Sequence, residues 1–72
     1  MIDVEEVLDG SKERTFNTKQ DKEVCDQLFD YFDDVKYQTL SPMCWKKEKD
    51  GYEMVIAFDM VMNNSIVVLR KI

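Results

Sequence analysis

The residue types that most often carry chemistry are sparse in this sequence. There are two cysteines, Cys25 and Cys44, and no histidine. A cysteine or serine nucleophile needs a neighbouring base, and a zinc site needs several closely spaced thiolate or imidazole ligands, so neither is predicted. With only two glycines, the chain also lacks a phosphate-cradling loop and a dinucleotide-binding fingerprint. We therefore expect no enzyme activity, no metal and no cofactor.

Acidic side chains form the one cluster whose spacing suggests a site. Asp30, Asp33 and Asp34 follow Glu23 and Asp26 in a segment with helical periodicity. Carboxylates three or four residues apart can share a cation, but these lie opposite the apolar arc and have no further ligands nearby. Their spacing of about 6 Å along a helix axis resembles that of phosphates on a nucleic-acid strand. The five are our candidates for contact with a basic partner, and a solvated helix face is the alternative.

Trp45 and the lysines at positions 46, 47 and 49 place an aromatic ring beside positive charge. Proteins that bind single-stranded nucleic acid use this combination. Three lysines in a chain of net charge −5 are nevertheless a weak electrostatic footprint. We therefore predict no direct nucleic-acid binding. The expected roles are structural, with Trp45 in the core or an interface and the lysines protecting an edge strand.

The composition is that of one small acidic globular domain spanning residues 1–72. The amino terminus does not resemble a signal peptide, and no apolar run is long enough to span a membrane, so we expect a cytoplasmic protein without a membrane partner. In that compartment Cys25 and Cys44 would be reduced, although a disulfide between them stays open. The size, acidity and missing catalytic residues suit a non-catalytic inhibitor of phage or mobile-element type that binds a basic, nucleic-acid-binding protein. The alternative is a structural or regulatory homodimeric subunit with no inhibitory role.

Apolar spacing predicts the elements that would position these residues. Residues 18–37 have the pattern of an amphipathic helix, with Thr18 as N-cap and Pro42 beyond its end. Phe32 lies in the middle of the apolar arc and is predicted to be in the core. Residues 1–10 predict a short helix with Asp3 as N-cap, or an arm that orders on a partner. The apolar arc contains Val24, Cys25, Leu28, Phe29, Tyr31, Phe32 and Val35.

Residues 43–72 predict a three-stranded antiparallel meander. Asp50-Gly51 and Asn63-Asn64 are turn signals that separate strands at 43–49, Tyr52–Met62 and Ser65–Ile72. The predicted fold class is therefore α+β, one long amphipathic helix packed on a three-stranded antiparallel β-meander with a short N-terminal helix. Residues 11–17 are predicted to be a connector, with an edge strand ending at Thr15-Phe16 left open.

The hairpin at Asp50-Gly51 has two competing registers. A two-residue loop would place Glu48 opposite Glu53, which costs stability because like charges repel. A three-residue loop with a bulge at Gly51 would place Lys47 opposite Glu53, and we favour it on charge. Trp45 then shares a face with Val55 and Ala57. At the second turn, a two-residue loop would pair Met60 with Val67 and Phe58 with Leu69.

One helix can cover only one face of this sheet, and the other face is too apolar to remain exposed comfortably. We predict that it forms a homodimer interface. The alternative is that the N-terminal helix covers it and the protein is a monomer. Met54, Met60 and Met62 alternate toward the helix side and are expected to fill the core. The predicted self-association residues are Trp45, Val55, Ala57, Val61, Ile66, Val68 and Ile72.

Overall fold

The computed structural model describes residues 2–72 and consists mainly of a five-stranded antiparallel sheet. The strands lie side by side in the order β1-β5-β4-β3-β2. Two short helices pack on one side, which we call the helix side, and contribute to a single buried cluster there. The elements are α1 (Val4–Leu8), β1 (Glu13–Asn17), α2 (Lys22–Tyr31), β2 (Gln38–Ser41), β3 (Cys44–Lys49), β4 (Tyr52–Asp59) and β5 (Asn64–Lys71).

The predicted fold class, a long helix on a three-stranded meander, is wrong. The helix α2 occupies Lys22–Tyr31 instead of residues 18–37, and two further strands extend the sheet. The edge strand β1 pairs with β5 where a connector was predicted and an edge strand ending at Thr15-Phe16 was left open. The strand β2 pairs with β3 where a helix end and a loop were predicted. Both are short, and β2 is exposed along its whole length, so neither shows the alternation of a half-buried strand.

The helix α2 begins late because the residues before it bond elsewhere. The Thr18 hydroxyl donates to the Ser65 carbonyl at 3.0 Å, which ties it to β5 instead of capping a helix. The Asn17 side chain accepts hydrogen bonds from the amides of Lys19 and Gln20 and closes a turn. The carboxylate of Asp21, the actual N-cap residue, accepts from the Asn17 amide.

Two lysines of β3 bind the C-terminal end of α2. Lys49 Nζ donates to the Tyr31 carbonyl at 2.9 Å, and Lys47 Nζ donates to the Phe32 carbonyl at 3.1 Å. Cations are favourable at a helix C-terminus because they offset the dipole and satisfy carbonyls that have no partner in the helix. Phe32 is 0% exposed, as predicted for a core residue.

The helix α1 packs on the same side of the sheet as α2. The Asp3 carboxylate accepts from the Glu5 amide at 3.0 Å, so Asp3 caps the helix. Val4 and Leu8 are buried in the same cluster as Leu28 and Leu69. The alternative in which this helix covers the opposite face is therefore wrong, and neither helix covers that face.

The β3–β4 hairpin adopts the register that we disfavoured. Asp50 and Gly51 form a two-residue loop, both with positive φ (55° and 84°), and Glu48 lies opposite Glu53. Lys46 resolves the repulsion by contacting both carboxylates, at 2.9 Å to Glu48 and 3.1 Å to Glu53. Pairwise charge across the strands was a poor guide because the long side chain of Lys46, two positions along β3 from Glu48, reaches both acids.

The β4–β5 turn is longer than predicted. Phe58 pairs with Ser65 instead of Leu69, and residues 60–63 form the loop. The Asp59 carboxylate accepts from the amides of Val61 and Met62, at 3.0 and 3.2 Å, and so stabilises this wider turn. The shift in register is an even number of residues, so each residue of β5 keeps its predicted face.

Candidate protein-interaction surfaces

The five carboxylates of the predicted acidic stripe are all exposed, but they do not form one uniform surface. Asp26 pairs with Lys22 at 2.6 Å, and Asp34 pairs with Lys49 at 2.8 Å. The Lys49 ammonium donates a hydrogen bond that holds the pKa of Asp34 below its ordinary value. Within residues 2–72, Glu23, Asp30 and Asp33 make no ion pair. The available negative charge is therefore at those three positions.

Charge is also segregated on a larger scale. The helices with their flanking turns, residues 2–10 and 18–37, carry ten of the 15 acidic residues and only three of the ten basic ones. The rest of the chain, mostly sheet, carries five acidic and seven basic residues. The helix side of the molecule is therefore mainly acidic, whereas the rest of the chain has a small excess of basic residues. We call the helices with their flanking turns the acidic layer.

The face of the sheet opposite the helices has an apolar centre, which we call the open face. Val55 pairs with Val68, and Ala57 pairs with Ile66, so these four side chains are neighbours on that face. Each is half-buried by its neighbours in the sheet. Cys44, opposite Ala57, lies at the edge of this patch.

A charged network closes one end of the open face around Glu53, which is only 4% exposed. Arg70 Nε donates to Glu53 at 2.5 Å, and Lys46 contacts its other oxygen at 3.1 Å. Burial opposes ionisation of Glu53, but the hydrogen bonds from Lys46 and Arg70 outweigh it and lower its pKa. The pKa of Lys46 is raised by its hydrogen bonds to Glu48 and Glu53. These groups satisfy one another within the chain.

The structure brings together only part of the predicted self-association set. Trp45 pairs with Ile56 and faces the helix side, away from Val55 and Ala57, because the hairpin register differs from the favoured one. Val61 lies in the β4–β5 turn and is 92% exposed. Ile72 follows the end of β5. The four residues at the centre of the open face are Val55, Ala57, Ile66 and Val68.

The helix side contains a surface that the sequence did not predict. The helix α2 crosses the sheet diagonally, from Asn17 at one end of β1 to Lys47 and Lys49 at the other end of β3. A diagonal helix leaves two corners of the face uncovered. In one of them lies α1, where the Val7 carbonyl accepts from Arg14 of β1 at 2.6 Å and Glu5 pairs with Lys71 of β5 at 3.0 Å.

The other corner, which we call the open corner, has no helix over it. Trp45 and Ile56 are paired across β3 and β4 and are only half-buried. The Phe58 amide donates to the Met43 carbonyl at 3.0 Å, so this pair extends the same face toward the turn. Tyr37, which precedes β2, forms the outer wall and is 63% exposed. Together they border a groove of about 370 Å³ lined by Tyr37, Trp45, Lys46, Lys47 and Ile56.

The methionines divide between the core and this surface. Met54 is buried, but Met60 and Met62 are exposed beyond the open corner, and Met43 is exposed within it. The prediction that Met60 and Met62 fill the core is therefore wrong. Tyrosine, tryptophan, phenylalanine and methionine are the residue types enriched in protein interfaces. The open corner has that composition and lacks the cover that would make it core.

Two features of the sequence could have revealed the open corner. The meander carries more apolar side chains on its helix side than one helix can cover. Lys47 and Lys49 lie on the same face as Trp45. Their ammonium groups need carbonyl or carboxylate acceptors at the edge of that face. Both signals require knowledge of where α2 ends, which is set by tertiary contacts.

The cysteines lie on opposite sides of the sheet. Cys25 is buried among the helix-side residues, and burial raises the pKa of its thiol. Cys44 is half-buried on the open face, and both are free thiols. Within residues 2–72, no three histidine, cysteine or acidic side chains are placed to hold a metal ion. None of the helices described is long and apolar enough to cross a membrane.

Comparisons with known proteins do not assign this chain to a class. No family model matches the sequence, and neither a curated protein nor a solved structure gives a significant match.

Proposed function

We propose that this chain is a small non-catalytic cytoplasmic protein that binds another protein, and that its acidic helical layer contacts a basic partner. The observation that supports this most is the segregation of charge. Acidic side chains are concentrated on the helices and their flanking turns, and within residues 2–72 Glu23, Asp30 and Asp33 make no ion pair. Such a surface attracts a positively charged protein and increases its rate of association.

Nucleic-acid-binding proteins are the partner class that fits this surface. They carry a basic groove that recognises phosphates. Glu23 and Asp30 on α2, with Asp33 just beyond its end, offer exposed negative charge to such a groove. The chain would act as an inhibitor by occupying that groove, a function in keeping with phage or mobile-element proteins. Its free cysteines fit a reducing compartment.

The test combines charge reversal with competition. The variant Asp30→Lys/Asp33→Lys should lose partners that the parent retains from a nuclease-treated lysate at low salt. Added duplex DNA or structured RNA should displace the same partners from the parent, because both would occupy one groove. Retained proteins are identified and quantified by mass spectrometry, and circular dichroism confirms that each variant is folded.

A matched control changes the net charge equally on the sheet. Glu13 and Glu48 are exposed acids on the open-face side, so Glu13→Lys/Glu48→Lys should keep the partners. Equal losses in the two double variants would show that only net charge matters. Partners that survive Asp30→Lys/Asp33→Lys, or that nucleic acid does not displace, would contradict inhibition through the acidic layer.

A second candidate function, a homodimeric subunit, is favoured by the open face. Both helices lie on the other side, so no element within residues 2–72 packs over Val55, Ala57, Ile66 and Val68. Burying a few hundred Å² of apolar surface contributes about 25 cal/mol per Å² before the costs of association. Small domains often gain needed stability from such pairing.

Light scattering at micromolar concentration tests the homodimer. The parent should return twice the chain mass, and Val68→Lys should return the monomer mass while keeping its helical signal. In the dimer, the Cys44 thiol should react more slowly with a maleimide than in Val68→Lys, because Cys44 borders the same patch. A monomeric parent with a fast-reacting Cys44 would exclude this function.

A further inference from the structure

We infer that the open corner is a docking site for an amphipathic helix of a partner protein. The inference rests on the proposed function, that the chain binds proteins, and specifies the contact. It assigns Tyr37, Trp45, Ile56, Phe58 and Met43 to the site.

The chain itself shows what fills such a corner. The helix α2 leaves two corners on the same face, and the filled one holds a short helix that buries Val4 and Leu8 on the strands beneath. The open corner presents the same kind of surface, paired strands with apolar side chains facing outward. A second short helix on the other side of α2 would complete the helical layer.

The dimensions of the open corner match one helix. Its floor is formed mainly by β3 and β4, and two neighbouring strands span about 10 Å. The diameter of a helix with its side chains is also about 10 Å. The groove between Tyr37, Trp45 and Ile56 could accept one large apolar side chain of the docked helix, as anchor residues do in helix-in-groove complexes.

Addition of a partner strand to β2 fits less well. The pairing of β2 with β3 is irregular between Thr39 and Ser41, and Pro42 follows directly. Bulges and prolines interrupt the regular hydrogen bonding that strand addition needs. A strand beside β2 would also be separated from Ile56 on β4 by both β2 and β3, and would leave most of the open corner uncovered.

Trp45 is the only tryptophan in the chain, so its fluorescence reports occupancy of the open corner. The probes are synthetic peptides of about 14 residues, a length at which helix formation on contact is feasible. One has leucine and lysine at helical spacing (LKKLLKKLLKKLLK), and a second has the same composition in strand alternation (LKLKLKLKLKLKLK). A third replaces lysine by glutamate (LEELLEELLEELLE).

The helical lysine peptide should shift the emission of Trp45 to shorter wavelength and saturate at micromolar concentration. The alternating peptide should bind at least about tenfold more weakly, a difference of about 1.4 kcal/mol. Equal or tighter binding of the alternating peptide would overturn the inference in favour of strand addition. Absence of a shift with every peptide would overturn it as well. A shift on raising the protein concentration alone would show that a second copy fills the corner.

Two variants locate the contact. Tyr37→Ser should weaken binding of the helical lysine peptide about tenfold, as expected when an aromatic contact residue is lost. Ile72→Ser is the matched control, because Ile72 lies outside the open corner and is 72% exposed, compared with 63% for Tyr37. Equal effects of the two substitutions would contradict docking in the open corner.

The glutamate peptide separates this inference from the proposed function. If it binds as tightly as the lysine peptide, the helix-docking site stands and the preference for a basic partner fails. If no peptide binds but a basic partner is lost from Asp30→Lys/Asp33→Lys, the acidic layer stands and the open corner is excluded as a helix site.

Discussion

The two corners of the helix side are made from the same sheet, yet one is core and the other is surface. In the filled corner, α1 places Val4 and Leu8 over the strands, and Leu69 and Met54 beneath are fully buried. In the open corner, Trp45 and Ile56 are half-buried, and Tyr37, Met43 and Phe58 are exposed. Burial on this face decreases from β5 toward β2 because neither helix extends over the β2 side of the sheet.

The difference shows that apolar alternation in a strand does not by itself define a core. Met54 and Met43 both face the helix side, one from β4 and the other just before β3, but only Met54 lies beneath a helix. A face that carries interface-type residues without cover is where we expect a partner. The following predictions compare the two corners, from the largest expected effect to the smallest.

Phe32, at the end of α2, should be the most sensitive position. Phe32→Ala should lower the free energy of unfolding by about 3–5 kcal/mol, since it removes a fully buried ring. Tyr37→Ala, five residues later in the open corner, should cost about 1 kcal/mol or less because the ring is mostly exposed. Urea denaturation measures both. If the two losses are similar, the open corner is packed as core.

Leu8 and Met43 compare the corners directly. Leu8→Ala should cost about 2–5 kcal/mol because it leaves a cavity beneath α1. Met43→Ala removes a comparable volume from the open corner and should change the free energy of unfolding by about 1 kcal/mol or less. Thermal denaturation of the two variants beside the parent is the measurement. A larger loss for Met43→Ala would mean that the open corner is covered in solution.

The local patterns of the sequence predicted several elements well. The apolar arc of α2 located Phe32 in the core, and the turn signals at Asp50-Gly51 and near Asn63 separated three strands correctly. The strands β1 and β2 were not predictable in this way because they are short edge strands whose residues are mostly exposed. Their position depends on pairing with β5 and β3, which is a tertiary interaction.

The errors in helix length and register have a common physical cause. Thr18 looked like a helix cap, but it bonds to Ser65, which is distant in sequence. Glu48 and Glu53 looked incompatible, but Lys46 and Arg70 neutralise them from adjacent positions in the sheet. In each case the bonding partner is distant in sequence or lies on a neighbouring strand. Local sequence patterns could not predict such a bond.

The candidate sites were predictable to different degrees. Exposure of the five carboxylates followed from helical periodicity and from their position opposite the apolar arc, and their role with a partner stays a prediction. The centre of the apolar open face followed from strand alternation, but Trp45, Val61 and Ile72 of the predicted set lie outside it. The open corner depends on where α2 ends, and Lys47 and Lys49 bind that end.

Glu53 should make the stability of the sheet dependent on acid pH. Its pKa in the folded protein is lowered from 4.5, so ionised Glu53 contributes stability above that pH, and the contribution is lost as the pH falls through the folded-state pKa. Glu53→Gln should cost about 1–3 kcal/mol at neutral pH and flatten this dependence. Glu48 is a more exposed acid of the same network, so Glu48→Gln should change the free energy of unfolding and its pH dependence less. Identical acid profiles for Glu53→Gln and the parent, from urea denaturation at several pH values, would contradict the role of the network.

Lys49 tests the boundary between the corners with the smallest expected effect. Lys49→Met should lower the free energy of unfolding by about 0.5–1 kcal/mol, because the cation at the C-terminus of α2 is lost while the apolar stem is kept. The pKa of Asp34 should rise toward its ordinary value, since the Lys49 ammonium holds it down. Lys36→Met is the control, as Lys36 makes no ion pair within residues 2–72. Titration of the carboxyl resonances by NMR distinguishes the variants. An Asp34 pKa that moves equally in both, or in neither, would mean that α2 does not end on β3 and that the open corner is not bounded as described.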